Sequence, residues 1–564
     1  MSSPKSSAKL LVFRRHFLPA LPALLLFWAL VFWFFGQSLA RDGEFTYALD
    51  DSYIHLALAK NLGFHGVWGV SPLEWASASS SLAWTTLLAV CLRTGGDHAL
   101  FPLFLNLFFG SCCILTLAHL LRRGRLSPLW ISLVAAFLVF AAPMPTLAVA
   151  GLEHLFHILV TLLFLSRAAD ILSEAKTEST RRRCFIFCGI AALLPMLRYE
   201  GLFAIGAAFL FLLWQRRAGL AALMLICAIF PLAVFGAISV HQGSLPFPNS
   251  VFLKVQTEAP NALFDHFSTR ILYWIVNLQE VRILFIALAL ASLAHWTARR
   301  HPNEAEITVE KRRGGWLLAL FLLMFGFHLQ FARWGWLFRY EAYLIVSGGW
   351  ILSLAARDYW CEQREKTNSN SRIRPFLIFP PALGLLFVAL LRGWEAQDAT
   401  PRAMNHVHDQ QIQMARFFRR YFRSQSVAAN DIGAVSYWSD VKLLDLYGIA
   451  SRDVFEAKRA HRYTRDALTE IAKKHDVQVA ALYPNWFVPG GQSGIPSGAG
   501  EILPRNWKRV GTWRLGELGF GSDVAFYAAN PRAEMKLIAA LRDFSSQLPR
   551  TQKQSGLYRQ SEGE

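Results

Sequence analysis

FLPALPALLLFWALVFWFFGQSLA, residues 17–40, contains no charged side chain and as a helix is long enough to cross roughly 30 Å of hydrocarbon. Arg14 and Arg15 precede it and no small-residue cleavage site directly follows it, so it reads as a retained membrane anchor rather than a secretory signal. Comparable uncharged runs recur at Ala99–Leu121, Ala218–Val240 and Gly314–Ala332. The whole chain is 54% hydrophobic against 17% charged, more apolar side chain than a soluble core of 564 residues needs. A polytopic α-helical membrane protein is therefore expected, set in a lipid bilayer.

The loop charges set the count and the orientation. Lys5, Lys9, Arg14 and Arg15 put the N-terminus on the cytoplasmic side. If Ser80–Leu92, apolar but short, is a juxtamembrane or re-entrant helix, every basic cluster between spans also falls inside: Arg122/Arg123/Arg125, Arg167–Arg183, Arg216/Arg217, Arg299–Arg313 and Arg357–Arg374. About eleven spans result, near 17–38, 99–121, 127–142, 146–166, 184–198, 201–215, 218–240, 281–298, 314–332, 339–356 and 375–391. An odd number sends the first loop, 41–98, and everything beyond the last span outside. The expected division is a membrane module over 1–392, an extracytoplasmic α/β domain over 393–545 and a disordered polar tail over 546–564. Strand-like runs at Val477–Leu482 and Val524–Ala528, with amphipathic stretches at Arg465–Lys474 and Arg532–Phe544, give that domain its α/β character.

Several chemistries are excluded. The net charge of +18 follows the topology signal, so no nucleic-acid partner is expected. The seven cysteines lie in or near apolar runs, without the spacing of a disulfide framework or a zinc site, and no metal ligands are assigned. No phosphate loop, His-Glu-x-x-His, nucleophile elbow or dinucleotide fingerprint is present.

The polar residues that remain are few. Asp50 and Asp51 are adjacent at the membrane surface directly after the first span and open a helical pattern through Leu58, Ala59 and Leu62. Their bland reading is a helix N-terminal cap, which Asp favours. Glu153 lies inside an otherwise uncharged span, where an ionisable group costs on the order of 3 kcal/mol and marks a functional site, unless it pairs structurally with His154 or His157. Arg198-Tyr199-Glu200 and Arg339-Tyr340-Glu341 interrupt spans on the external side, where lone arginines can also anchor head groups.

In order, LDDSYIHLALAKNLGFHGVWG (49–69), GLEHLF (151–156), LRYEGL (197–202), SLPFPNSVFLKV (244–255), RYEAYL (339–344) and NDIGAVSYWSDVKLLDLYGI (430–449) resemble the GT-C superfamily of multi-span glycosyltransferases that use polyprenyl-phosphate sugars. The set is most similar to the branch with mycobacterial terminal arabinofuranosyltransferases. The stretch 72–81, ending EWASASSS, matches that family only loosely, so sugar and acceptor preference do not carry over. The resemblance implies a GT-C-like fold and an inverting transfer from a polyprenyl-phosphate sugar donor to an extracytoplasmic glycan, lipid or protein at the bacterial inner membrane. It implies a catalytic acid in the first external loop, placed on Asp51 with Asp50 second. Glu153, Arg198, Glu200, Asn249, Lys254, Arg339 and Tyr340 become the expected substrate contacts. No cofactor is expected; a divalent metal enters only if the donor is a pyrophosphate. The competing readings are a secondary transporter, disfavoured by the absent inverted repeats, and a non-catalytic scaffold for envelope assembly.

Overall fold

The computed structural model describes residues 18–174, 180–250, 309–365, 375–488, 502–515 and 523–557, with a few isolated positions between 253 and 292. Lys254 and most of the expected 281–298 span lie outside the described residues.

The helices in chain order are α1 Leu21–Asp42, α2 Asp51–His65, α3 Leu82–Gly95, α4 Phe101–Arg123, α5 Pro128–Ala141, α6 Met144–Val149, α7 His154–Ser173, α8 Arg181–Leu197, α9 Gly201–Trp214, α10 Ala218–His241, α11 Val309–Phe331, α12 Ala342–Glu365 and α13 Pro375–Val407. Helix α14, Gln413–Tyr421, follows a π-helical turn at His408–Ile412. Among the described residues five helices are long and apolar enough to cross a membrane: Leu18–Asp42, Phe101–Arg123, His154–Ser173, Ala218–His241 and Arg312–Phe331. Leu82–Gly95, Pro128–Ala141 and Gly201–Trp214 are shorter apolar helices.

The chain divides into two compact units. The first comprises Met1–Gly36, Leu103–Leu232 and Leu263–Thr400. Helix α7 is the most enclosed of those five helices and packs against α8, α9, α11 and α12. Its start corrects the sequence reading. The apolar run 146–166 is not one span: α6 ends at Val149, Gly151 takes φ +70°, and α7 begins at His154. Glycine adopts that left-handed conformation without steric cost, and hydropathy cannot register it. Glu153 therefore stands at the entrance of α7, not within a continuous span.

The second unit comprises Gln37–Pro102, Ala233–Ala262 and Pro401–Glu564. It pairs α2 with α3 and contains a mixed six-stranded sheet, in the order β2-β1-β3-β5-β4-β6. The strands are β1 Ser426–Ala429, β2 Lys442–Asp445, β3 Val479–Leu482, β4 Lys508–Leu515, β5 Val524–Ala528 and β6 Gln552–Gly556. β1 is parallel to β2 and β3, while β5, β4 and β6 join antiparallel. Between the strands lie α15 Gly433–Trp438, α16 Arg452–Arg459 and α17 Arg465–Lys474, with α18 Pro531–Phe544 after β5.

Strands covered on both faces read as unbroken apolar runs, as β3 and β5 do, and as β1 does after Ser426. On one face Ala428, Ala480 and Ala525 join Leu444, Leu468 and Val454 in a core. On the other, Phe417 of α14 meets Phe526 at 5.3 Å, Trp513 at 5.6 Å and Phe544 of α18 at 5.6 Å between ring centroids. The tail expected to be disordered contributes β6, which pairs with β4. Its polar sequence suits a strand at the sheet edge, which needs no second apolar face.

Candidate active site

In the second unit the acid pair is split between two tasks. Asp50 stands at the N-cap position of α2 but makes no side-chain cap to it. Its carboxylate instead accepts the backbone N–H groups of Gly433 at 2.5 Å and Ala434 at 2.8 Å, the start of α15. The contact is close enough that a Cβ on residue 433 would lie 2.1 Å from the Asp50 carbonyl oxygen, so only glycine fits. Burial pushes the Asp50 carboxyl well above the ordinary carboxylate range, and the neighbouring Asp431 adds to the rise by charge and hydrogen bonding. Asp431 in turn accepts from Gln411 at 2.6 Å, and Gln411 also donates to the Tyr483 hydroxyl at 3.0 Å. Asp51 occupies the first turn of α2 and is half-buried.

The same two segments meet again along α2. Lys60 pairs with Asp97 at 2.8 Å, and Asp97 accepts from the Tyr437 hydroxyl of α15 at 2.6 Å. The stretches 49–69 and 430–449 are thus two halves of one packed contact. Asn249 donates its side-chain amide to the Ile449 carbonyl at 3.0 Å and its backbone N–H to the Ser77 carbonyl at 2.9 Å, so it ties the 430–449 stretch to the loop around residue 77. Asp431, Gln411 and Tyr483 escaped sequence reasoning, although Asp431 lies within the NDIG segment.

In the first unit Arg198 lies between two acids. It donates to Glu153 at 2.8 Å and bidentately to Glu200 at 2.7 and 3.2 Å. His154 Nε2 is 3.4 Å from the same guanidinium, and the Tyr340 ring centroid is 5.4 Å away. Arg339 also lies over that ring, 5.0 Å from its centroid, and donates to the Tyr340 hydroxyl at 3.1 Å. GLEHLF, LRYEGL and RYEAYL therefore converge on one buried cluster of two acids and two guanidinium groups. The pairing of Glu153 is with Arg198, not with His157. Glu341 belongs to a separate pair with Arg392 at 2.5 Å, both fully enclosed.

The fold has counterparts among solved structures. ArnT from Cupriavidus metallidurans in its apo state matches with a TM-score of 0.50 at 13% identity, over 90% of this chain and 98% of that one. The same protein bound to undecaprenyl phosphate matches at 0.48 and 13%, over 90% and 98%. The oligosaccharyltransferase of Archaeoglobus fulgidus in apo form matches at 0.49 and 12%, over 92% of this chain and 75% of that one. A family model described as a domain of unknown function, DUF8728, matches residues 402–527, most of the sheet-bearing segment. Comparison with curated protein sequences finds no match. The likeness to ArnT establishes a shared fold.

Proposed function

We propose that this chain is an inverting glycosyltransferase that moves a sugar from a polyprenyl-phosphate donor to an extracytoplasmic acceptor. The observation that carries the proposal is the division of labour in the acid pair. Asp50 is committed to the α15 backbone and favours its neutral form, which removes most of the like-charge penalty an adjacent acid would impose. Asp51 can then be ionised at neutral pH. In this reading its carboxylate takes the proton of an acceptor hydroxyl as that oxygen attacks the anomeric carbon, the polyprenyl phosphate leaves with the bond electrons, and configuration inverts.

Arg339 and Arg198 are proposed to receive the donor phosphate, with Lys254 as a third cation. Arg198 also pairs with Glu153 and Glu200, and Arg339 lies 5.0 Å from the centroid of the Tyr340 ring. A phosphomonoester donor needs no metal in this scheme. The fold shared with ArnT, whose structure is known with undecaprenyl phosphate, supports the donor class. The nearer similarity to the arabinofuranosyltransferase branch rests on the quoted segments alone, and both hexose and pentose fit the reading.

Eleven crossings at the inner membrane, with the acid pair and the sheet domain outside, complete the proposal. A C-terminal alkaline phosphatase fusion should be active; activity only from a cytoplasmic reporter at that point would end this orientation. The decisive assay incubates purified protein with radiolabelled polyprenyl-phosphate sugars and membrane extract. Label should move to a new product, and its absence with every sugar offered would count against the enzyme.

A further inference from the structure

Another polar cluster of the second unit lies apart from the acid pair. Asp42 ends α1, and His408 and Asp409 open the π-helical turn after α13. All three side chains are enclosed, at 3%, 7% and 1% exposure. His408 Nδ1 is 3.0 Å from Asp409 Oδ1 and 3.3 Å from Asp42 Oδ1, and one ligand atom from each residue lies within 4.8 Å of the others. Zinc takes imidazole nitrogen and carboxylate oxygen at about 2.0–2.2 Å, which sets ligand atoms around one tetrahedral ion roughly 3.3 Å apart.

Charge alone does not explain the cluster. Arg41 reaches Asp409 at 2.6 and 3.1 Å and Asp42 Oδ1 at 2.7 Å. Thr551 donates to Asp409 Oδ2 at 2.8 Å, and Gln552 donates to the Asp409 main-chain carbonyl. Glu44 is matched by Arg416 at 2.6 Å. Two carboxylates against one guanidinium leave a negative charge in an enclosed space. A proton on His408 would cancel it, yet would still leave Asp42 Oδ2, which is buried and has no hydrogen-bond partner among the described residues. A buried carboxylate oxygen left without a partner is destabilising, so the geometry favours an occupant that the protein groups do not supply.

We propose that Asp42, His408 and Asp409 form a binding site for a divalent cation of the zinc class. An imidazole with two carboxylates suits zinc better than magnesium or calcium, which prefer all-oxygen shells. The ion ties the end of the first span to the turn that leads into the sheet domain, with Thr551 and Gln552 holding Asp409 from β6 and its approach. It is a structural ion, independent of the transfer chemistry proposed above.

The test uses the full-length chain in detergent, stripped with EDTA and titrated with zinc chloride. Zinc retained after gel filtration should be about one per chain, thermal unfolding should move upward on reloading, and cobalt in place of zinc should give the visible absorption of a tetrahedral site. His408→Ala and Asp42→Asn should each lose the retained zinc and the metal-dependent shift, whereas His461→Ala, remote from the cluster, should keep both. Wild-type chain that retains no zinc and unfolds at the same temperature with EDTA overturns the proposal without any variant. Retention in the cluster variants equal to wild type overturns it too.

Discussion

Two buried carboxylate sites in this molecule are satisfied in opposite ways. Glu153 and Glu200 face a guanidinium, whereas Asp50 faces backbone N–H groups and a second acid. At the α7 entrance the Arg198 guanidinium pairs with both carboxylates. A backbone turn beside another carboxyl fixes position while burial favours the neutral form. The first arrangement stores charge near a phosphate candidate. The second fixes the position of Asp50 beside its neighbour Asp51.

Substitutions can break that contrast. The largest effect is expected from Asp51→Asn, which should cut transfer by about 10²–10⁴ while the protein still unfolds at its normal temperature. If Asp50→Asn gave the larger catalytic loss with no loss of stability, the two roles would be exchanged. Next comes Arg198→Ala, which strands Glu153 and Glu200 without their cation and should destabilise the detergent-solubilised protein by about 3–5 kcal/mol. A thermal shift too small to detect would mean that the acids find other partners. Gly433→Ala places a Cβ 2.1 Å from the Asp50 carbonyl oxygen and should cost about 1–3 kcal/mol, with activity falling in step. Asn249→Ala should lose only about 1 kcal/mol and leave donor affinity unchanged, and a weakened donor affinity would return Asn249 to the substrate site.

The smallest effect concerns pH. Because burial and then Asp431 raise the Asp50 carboxyl above 3.8, the folded chain holds that proton more tightly than the unfolded chain. The associated stability is complete below 3.8 and is lost as pH climbs through the folded value. Unfolding temperatures measured across pH should fall less steeply in Asp50→Asn than in wild type; parallel curves would refute the buried neutral acid.

The helices at Phe101–Arg123 and Ala218–His241 were legible in the sequence because apolar runs end there at basic residues. So were β5 and the amphipathic α17, whose periods are local. The break before Glu153 was hidden, since Gly151 is neutral in hydropathy and decisive only in its backbone angle. The pairing of Arg198 with Glu153, separated by 45 positions, and of Asp50 with Gly433, separated by 383, are three-dimensional facts that no local pattern encodes. Ordered motifs named most of the participants without saying who would touch whom.

That last separation bears on how the protein is made. Synthesis delivers Asp50 early and the amides of Gly433 and Ala434 some 383 residues later. Until then Asp50 lacks the two backbone N–H groups its carboxylate accepts in the folded chain. Loop closure over such a distance is slow and comes late. A chain released before residue 433 therefore has both residues of the acid pair and none of the backbone contacts that hold Asp50, which form only when the chain is nearly finished.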